Sequence, residues 1–332
     1  MAIYRCKQCN FVTELDAQRV GEDMPCPQCQ HVNKIWDSTF FVNQLLEKYF
    51  ALHRSYQRLQ NEQKQDVQKA ASPARSEPLP ANEPRDFSNT AALSEASQAQ
   101  ALLRWFEHKR IKVELNPNAV DTTGFFDEIA HAIATDYVTL RPIIQQICHA
   151  YRENYIGTTI HLANRNADEL HRVTQFCRQL HEFAFISRLV QQKSEKTLRL
   201  ILQPSPPIRQ FFSGIWLEWY ALMQALSFAS QRQLPFSCAR NLKITLPNAE
   251  VHELDVFLLL DDKTPICIEC KTGEYHSQIE KYRLLKKSLG LQKAQFLLCV
   301  ADISDEHAQG FTSMYDLTFT NPKHLLTYLQ RL

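Results

Sequence analysis

The chain has 332 residues, which is long for one compact core, so two or three folded units are expected. Hydrophobic residues make up 44% of it and charged residues 22%, and it has no run of about 18 or more apolar residues, which excludes a membrane-spanning helix. Its 37 Lys and Arg nearly balance its 36 Asp and Glu, and the formal net charge of +1 excludes a general attraction to nucleic acid or membrane, so any basic surface is local.

The N-terminus does not have the pattern of a secreted protein. Its first residues, Met1 to Cys6, lead directly into a polar cysteine motif without the apolar segment of a secretory signal. Six of the ten cysteines lie singly in apolar stretches, as expected for reduced, buried thiols: Cys148, Cys177, Cys238, Cys267, Cys270 and Cys299. We therefore expect a cytoplasmic protein.

Two C-x-x-C pairs open the chain. Cys6 and Cys9 form the first pair, Cys26 and Cys29 form the second, and sixteen residues separate them. This spacing predicts a zinc ribbon over residues 1–37, in which four thiolates close a tetrahedral shell around one structural zinc ion. A redox dithiol is the alternative, and the coincidence of two pairs at ribbon spacing disfavours it. The ribbon is expected to select a substrate or a protein partner.

A helix and a linker are expected next. Apolar residues recur at intervals of three and four between Val42 and Leu59, which predicts a helix over residues 38–66. Its apolar face needs a partner, which is either a second copy of the helix in a coiled-coil homodimer or another face of the same chain. Residues 67–98 contain four prolines among polar residues, which predicts a flexible linker.

Residues 99–206 are predicted to form a helical domain resembling a winged helix, because helices that end in a β-hairpin are typical of that fold. Asn164 and Asn166 are candidate caps for the last helix. The predicted elements are helices near Ala99–His108, Phe125–Ala134, Arg141–Tyr151 and Asn166–Glu182, then strands at Ala184–Val190 and Thr197–Leu202.

The last helix and the hairpin offer a possible DNA-binding surface. The side chains that could contact a groove or the phosphates are His171, Arg172, Gln175, Arg178, Arg188, Lys193 and Lys196. The alternative is an ordinary solvated helix face on a domain that serves packing or dimerisation.

The C-terminal segment, residues 207–332, begins with a strongly apolar helix around Glu218. This residue is the one carboxylate of that helix, and a buried acid needs a partner. Two strand-like runs follow, Val251–Leu260 and Pro265–Lys271, and a polar turn joins them. Together they predict an antiparallel hairpin.

Strand geometry predicts a cation site on this hairpin. Side chains alternate between the faces of a sheet, so Glu269 and Lys271 share one face, and pairing about the turn sets Asp255 opposite Glu269. Two carboxylates this close repel each other, and a divalent cation relieves the repulsion. Magnesium or manganese there could polarise a phosphate, while Lys271 could orient or deprotonate the attacking water or neutralise developing charge.

This pattern resembles the PD-(D/E)xK nuclease superfamily over residues 207–332, with Glu218 on a helix, Asp255 on one strand, and Glu269 and Lys271 on the next. The resemblance implies a restriction-endonuclease-like domain whose core is a mixed sheet flanked by helices. It also implies that the three acids bind one or two metal ions and that Lys271 assists the attacking water.

Two further matches narrow the resemblance. Gln278 and Tyr282 have the Gln-x-x-x-Tyr spacing of the exonuclease-like branch, which implies that they support the metal site. The segments Gly214–Glu218, Glu253–Val256 and Ile268–Gly273 are similar to the nuclease domain of CRISPR-ancillary nucleases activated by cyclic oligoadenylates. Those relatives carry a Rossmann-like sensor domain, and no such βαβ pattern precedes residue 200, so activation by a cyclic nucleotide is not expected here.

The sequence thus predicts a multidomain α/β protein that acts as a Mg- or Mn-dependent endonuclease, with structural zinc in the ribbon. DNA is favoured over RNA as the substrate, in defence against foreign DNA or mobile elements. The alternative is a non-catalytic DNA-binding regulator or assembly factor that keeps the nuclease fold.

Overall fold

The computed structural model describes residues 2–9, 11–38, 42, 99–115, 124–163, 165–192 and 194–332. The chain forms two compact units, Met1–Asn82 and Glu83–Leu332. Most of the helix predicted over residues 38–66, with its dimer contact, and all of the predicted linker lie outside the described residues. Within that described part, every helix is too short or insufficiently apolar to cross a bilayer.

The first unit is a small antiparallel sheet that carries the four motif cysteines. Its strands, in the spatial order β2-β1-β4-β3, are β1 (Ala2–Arg5), β2 (Val12–Leu15), β3 (Asp23–Pro25) and β4 (Val32–Asp37). Tyr4 and Ile35 are fully buried, and the Tyr4 hydroxyl donates to the backbone oxygen of His31 at 3.2 Å. A core this small usually needs a cross-link or a metal to be stable.

The second unit interleaves helices and strands. Its helices are α1 (Gln100–His108), α2 (Phe125–Thr135), α3 (Tyr137–Arg152), α4 (Ala167–Glu182), α5 (Pro206–Gln210), α6 (Trp216–Arg232), α7 (Ile279–Leu289), α8 (Asp305–Met314) and α9 (Leu325–Gln330). Its strands are β5 (Lys112–Glu114), β6 (Gly157–His161), β7 (Ile186–Gln192), β8 (Thr197–Leu202), β9 (Phe236–Thr245), β10 (Val251–Leu260), β11 (Thr264–Lys271), β12 (Phe296–Val300) and β13 (Thr318–Thr320).

The larger sheet of this unit has six strands in the order β13-β12-β11-β10-β9-β5. Strands β11, β12 and β13 are parallel, whereas β10, β9 and β5 continue the sheet antiparallel. Val256 and Leu258 join the core formed with α2, α3 and α6, while Phe257 and Leu259 join the core formed with α1 and α7. A mixed sheet with helices on both faces confirms the predicted α/β class.

The first elements of the predicted middle domain belong to this sheet. Strand β5 pairs with β9 from Lys112 opposite Thr245 onward, and the Phe106 ring of α1 lies 4.8 Å from the ring of Phe257. The helices α2 to α4 share one continuous apolar core with α6. Within residues 99–206, the first strand thus pairs far along the chain, and the helices pack on the C-terminal segment.

A second, three-stranded sheet lies among the helices of the middle segment, in the order β6-β8-β7. The predicted hairpin is present as β7 and β8, which pair antiparallel. Of the two candidate caps, Asn164 lies outside the described residues, and the Asn166 side chain accepts a hydrogen bond from the backbone N–H of Glu169 at 2.8 Å. Strand β6, which the sequence pattern does not predict, pairs with β8 and completes the sheet.

Gly157 provides a test of this packing, because β8 passes close to its α-carbon. A Cβ atom at Gly157 would stand 2.1 Å from the backbone oxygen of Leu200. Gly157→Ala therefore has to displace one strand, and we expect it to lower the free energy of unfolding by about 1–3 kcal/mol. Urea unfolding of the full chain, followed by circular dichroism, measures the change.

The matched control is Gly310→Ala in α8, where an added Cβ meets nothing within 4 Å. Alanine is the better helix former there, so this variant is expected to be neutral or up to about 1 kcal/mol more stable. Equal stability of the two variants would contradict the close approach of β6 and β8.

Candidate functional site

The candidate site lies at one edge of the large sheet. The carboxyl ends of the parallel strands β11 and β12 meet there, and Lys271 is the last residue of β11. Pairing of β10 with β11 runs from Leu260 opposite Thr264 to Val256 opposite Ile268. Extending this register by one residue sets Asp255 opposite Glu269, which is the register predicted from the sequence.

The two strands separate at Asp255. Beyond Val256 the backbone pairing with β11 stops, and the Asp255 carboxylate accepts a hydrogen bond from the backbone N–H of Cys270 at 2.7 Å. Side-chain alternation along β10 also breaks here, because Leu254 packs in the same core as Phe257. The Asp255 carboxylate thus accepts a hydrogen bond from β11 that a backbone carbonyl of β10 would ordinarily accept.

Glu269 is almost completely enclosed, with a relative exposure of 2%. Burial raises the pKa of its carboxyl well above the ordinary value, the nearby charge of Asp255 raises it further, and Lys271 opposes the rise. Burial likewise raises the pKa of Asp255, against the lowering effects of Lys271 and the backbone N–H of Cys270. The structure thus holds two acids that are costly to ionise together.

Lys271 provides the positive charge of the site. Its Nζ atom lies 3.9 Å from Asp255 Oδ2 and 5.6 Å from the centre of the Tyr282 ring. Burial works against the ammonium, yet the charges of Asp255 and Glu269 and a hydrogen bond with Tyr282 raise the pKa of Lys271 above its ordinary value. The lysine therefore keeps its proton.

Gln278 and Tyr282 lie beside Lys271. Gln278 directly precedes α7, and the Tyr282 hydroxyl donates to its Oε1 atom at 2.8 Å. Burial raises the pKa of Tyr282, so its hydroxyl stays protonated as a donor. The pair fixes the ring that Lys271 approaches.

Glu218 lies in the first turn of α6, where its carboxylate is paired with Arg240 of β9. The Arg240 Nη1 donates to Glu218 Oε2 at 2.8 Å, and its guanidinium lies 4.0 Å from the centre of the Trp219 ring. Burial and the charge of Asp255 raise the pKa of Glu218 to about 7 although Arg240 lowers it. Asp255 is therefore electrostatically coupled to Glu218 as well as to Glu269.

Arg240 is the residue of this site that the sequence reasoning missed. Its side chain is 7% exposed and that of Glu218 is 16% exposed, so the ion pair is screened little by water. The signal was present in the sequence, because Arg240 interrupts an apolar strand between Cys238 and Leu242. A buried arginine requires an acceptor, as a buried glutamate requires a donor.

The two predicted sets of metal ligands, the four cysteines and the three acids, differ in the distances between their ligand atoms. Among the described residues, Cys6, Cys9, Cys26 and Cys29 are the one group of three or more His, Cys, Asp or Glu whose ligand atoms all lie within 4.8 Å of one another. These four thiols could bind a metal such as zinc. Glu218, Asp255 and Glu269 do not form such a group.

Hydrogen bonds surround the four thiols. The backbone N–H of Gln28 donates to Cys26 Sγ at 3.4 Å, and Asn33 Nδ2 donates to Cys6 Sγ at 3.7 Å. Donors aimed at sulfur favour thiolate, which is the form that binds metal.

The polar side chains of the middle segment are only partly available. His171, Gln175 and Arg178 are exposed on α4, whereas Arg172 Nε lies 2.9 Å from Asp136 Oδ2 and is held against the start of α3. On the hairpin, Arg188 and Lys196 are exposed and Lys193 lies outside the described residues.

Comparisons with known proteins find distant structural likenesses. No protein-family model and no curated protein matches the chain. Protein VC1899 from Vibrio cholerae has a similar structure, with 15% identity and a TM-score of 0.47 over 68% of this chain and 58% of that one. Can2 from Sulfobacillus thermosulfidooxidans, solved with cyclic tetra-adenylate, has 14% identity and a TM-score of 0.46 over 69% and 59%. The chain thus spans less than two thirds of either protein's length.

The raised pKa of Glu218 makes stability depend on pH when no divalent cation is present. The pKa rises from 4.5 to about 7 on folding, so the protonated carboxyl favours the folded state. This contribution, at most about 3 kcal/mol, is complete below the unfolded pKa and is lost as the pH rises through about 7. We expect the thermal midpoint to fall between about pH 5 and 8, and Glu218→Gln to reduce that fall.

Glu182→Gln, at an exposed position on α4, should keep the wild-type pH dependence. Part of the fall persists in Glu218→Gln, because Asp255 and Glu269 shift in the same direction. A Glu218→Gln profile identical to that of the wild type would contradict the electrostatic coupling described here.

Proposed function

We propose that this protein is a metal-dependent nuclease that hydrolyses phosphodiester bonds of DNA. The observation that supports this most directly is the buried Glu269 beside the partly buried Asp255, with the Lys271 ammonium 3.9 Å from the Asp255 carboxylate. Neighbouring acids with raised pKa values are typical of sites that bind a cation or transfer a proton. Their position at the carboxyl edge of parallel strands favours ligand access.

Two of the three predicted acids, Asp255 and Glu269, fit a divalent ion. Asp255 and Glu269 would hold Mg²⁺ or Mn²⁺, since both offer hard oxygen ligands and both are costly to keep as anions without a cation. Such an ion supplies positive charge to a bound phosphate and to the acids themselves. Glu218 is assigned as the third acid, and Arg240 competes for its carboxylate.

The remaining side chains act through charge and position. The raised pKa of Lys271 favours an ammonium that stabilises negative charge building on the phosphate, rather than a base that removes a proton from water. Gln278 and Tyr282 orient this ammonium through their mutual hydrogen bond. Of the two roles that the sequence left open for Lys271, charge stabilisation is the one we propose.

The middle segment supports DNA as the substrate. Two helices, a strand, a third helix and a hairpin, with the sheet order β6-β8-β7, favour a winged helix. Its helix α4 would present His171, Gln175 and Arg178 to a groove. We place the protein in the cytoplasm, in defence against foreign DNA or mobile elements.

A regulator without catalytic activity is the second candidate. It is favoured by the ion pair between Glu218 and Arg240, which already neutralises the third acid. In that case the nuclease-like sheet would serve as a scaffold for DNA binding or assembly. RNA substrates in the experiment below distinguish a ribonuclease from both.

Plasmid nicking by the purified full chain with Mg²⁺ or Mn²⁺ tests the proposed function. We expect Asp255→Asn, Glu269→Gln and Lys271→Met each to slow nicking by at least about 100-fold, equivalent to about 2.7 kcal/mol of transition-state stabilisation. Glu182→Gln, an exposed acid on α4, serves as the matched control and should retain the wild-type rate.

The outcomes separate the candidates. Nicking that survives Asp255→Asn would show that the assigned roles are wrong. A wild-type protein that binds duplex DNA and leaves DNA and RNA uncut would favour the regulator.

We also propose that the four N-terminal cysteines hold structural zinc in a ribbon and that this ribbon binds a protein partner or selects the substrate. The purified chain is expected to contain one zinc ion, measured by inductively coupled plasma mass spectrometry after dialysis. Cys26→Ser removes one of the four ligands, so its zinc content should fall to well below one ion per chain. Cys148→Ser, which changes a thiol outside the group, should keep the ion; equal zinc in both variants would refute the assignment.

A further inference from the structure

A cavity of about 300 Å³ lies beside the candidate site, between α3 and the chain that enters α6. Arg141, Gln145 and Arg152 of α3 line one side. Ser213 and Thr272 line the other side, and Thr272 directly follows Lys271. The nuclease proposal does not use this cavity.

Backbone geometry brings the two walls together. Gly214 has a φ of 147° within the π-helical turn Phe211–Ile215, and a Cβ atom there would stand 2.9 Å from Thr272 Oγ1. A side chain at position 214 would be strained and would meet Thr272. The glycine therefore lets the start of α6 approach the end of β11.

The lining has the chemistry of an anion site. It contains two arginines and no carboxylate among the described residues. Arg141 lies 2.5 Å from Asp302, whereas Arg152 makes no ion pair within the described part of the chain. A guanidinium with neighbouring amide and hydroxyl groups suits a phosphate oxygen.

An aromatic wall adjoins the arginines. The Tyr137 ring stacks on Trp216, with centroids 5.3 Å apart and planes at 29°, so its position is fixed. Tyr137 is partly exposed at the cavity, whereas Trp216 is buried behind it. A fixed aromatic face beside cationic groups is how proteins hold a nucleotide base without reading its sequence.

The cavity adjoins the candidate site, because Thr272 of its lining directly follows Lys271. The backbone N–H of Ala301 donates to the Lys271 oxygen at 2.9 Å, and Asp302, the partner of Arg141, follows at the end of β12. The cavity therefore lies near the end of β11 that carries Lys271.

We infer that this cavity binds a nucleotide of the nucleic-acid strand that reaches Lys271, with its phosphate at Arg152 and Arg141 and its base against Tyr137. The inference deepens the proposed nuclease function and rests on it for the identity of the strand. The shared ligand chemistry is a phosphate anion, which an oligonucleotide, a mononucleotide or inorganic phosphate could supply. The position of Thr272 directly after Lys271 favours the oligonucleotide.

Fluorescence anisotropy with a labelled single-stranded oligonucleotide tests this in the full chain carrying Glu269→Gln, which is expected to slow cutting by at least about 100-fold. Adding Arg152→Gln should weaken binding about tenfold, which is about 1.4 kcal/mol, and should reduce the slope of log K against log salt by about 1. Arg104→Gln, an exposed arginine on α1, is the matched control and should change binding less than twofold. Equal losses in both variants would overturn the inference.

A second variant tests the cavity without removing charge. Gln145→Trp adds a large side chain at an exposed helix position on the cavity wall, and it should weaken oligonucleotide binding with an unchanged thermal midpoint. Displacement of the oligonucleotide by inorganic phosphate or a mononucleotide at similar affinity would overturn the strand assignment in favour of a small-anion site. If the wild type cuts nothing and Arg152 still controls binding, the proposed function fails and the cavity assignment stands.

Discussion

Repulsion between the buried Glu269 and the partly buried Asp255 is the constraint on which the candidate site depends. Asp255 and Glu269 occupy facing positions of neighbouring strands, where burial alone disfavours their charged forms. Backbone pairing of β10 with β11 stops at this point. The Asp255 carboxylate accepts the hydrogen bond of the Cys270 N–H, which a backbone carbonyl would otherwise accept. Lys271 then balances part of the charge. A fold built only for stability would place apolar residues here, because buried ionic groups are seldom the most stable choice.

The sequence was sufficient for the hairpin because local rules determine it. A polar turn between two apolar runs sets the register, and a period of two places Glu269 and Lys271 on one face. The Asn166 cap is local in the same way, since its acceptor and the N–H it binds are three residues apart. The α/β class follows from these elements together.

Other features depend on contacts that the local sequence does not encode. Strand β5 is three residues long and gains its partner only in β9, where Lys112 faces Thr245. Strand β6 depends in the same way on β8. The ion pair of Glu218 with Arg240 joins a helix to a strand that is distant in sequence. From the sequence, Glu218 is therefore assigned as a metal ligand, and Arg240 is not identified as its partner. The periodicity of apolar residues predicts one helix or strand at a time, and it does not identify the distant element that packs against it.

The position of α1 has a consequence for synthesis on the ribosome. Leu102 and Phe106 are fully buried against residues such as Phe257, which leave the ribosome much later. At ordinary elongation rates this interval is on the order of ten seconds. During that time an amphipathic helix with an uncovered apolar face waits for the sheet that will bury it. The emerging chain is therefore a natural client for a chaperone that shields this helix until the last strands arrive.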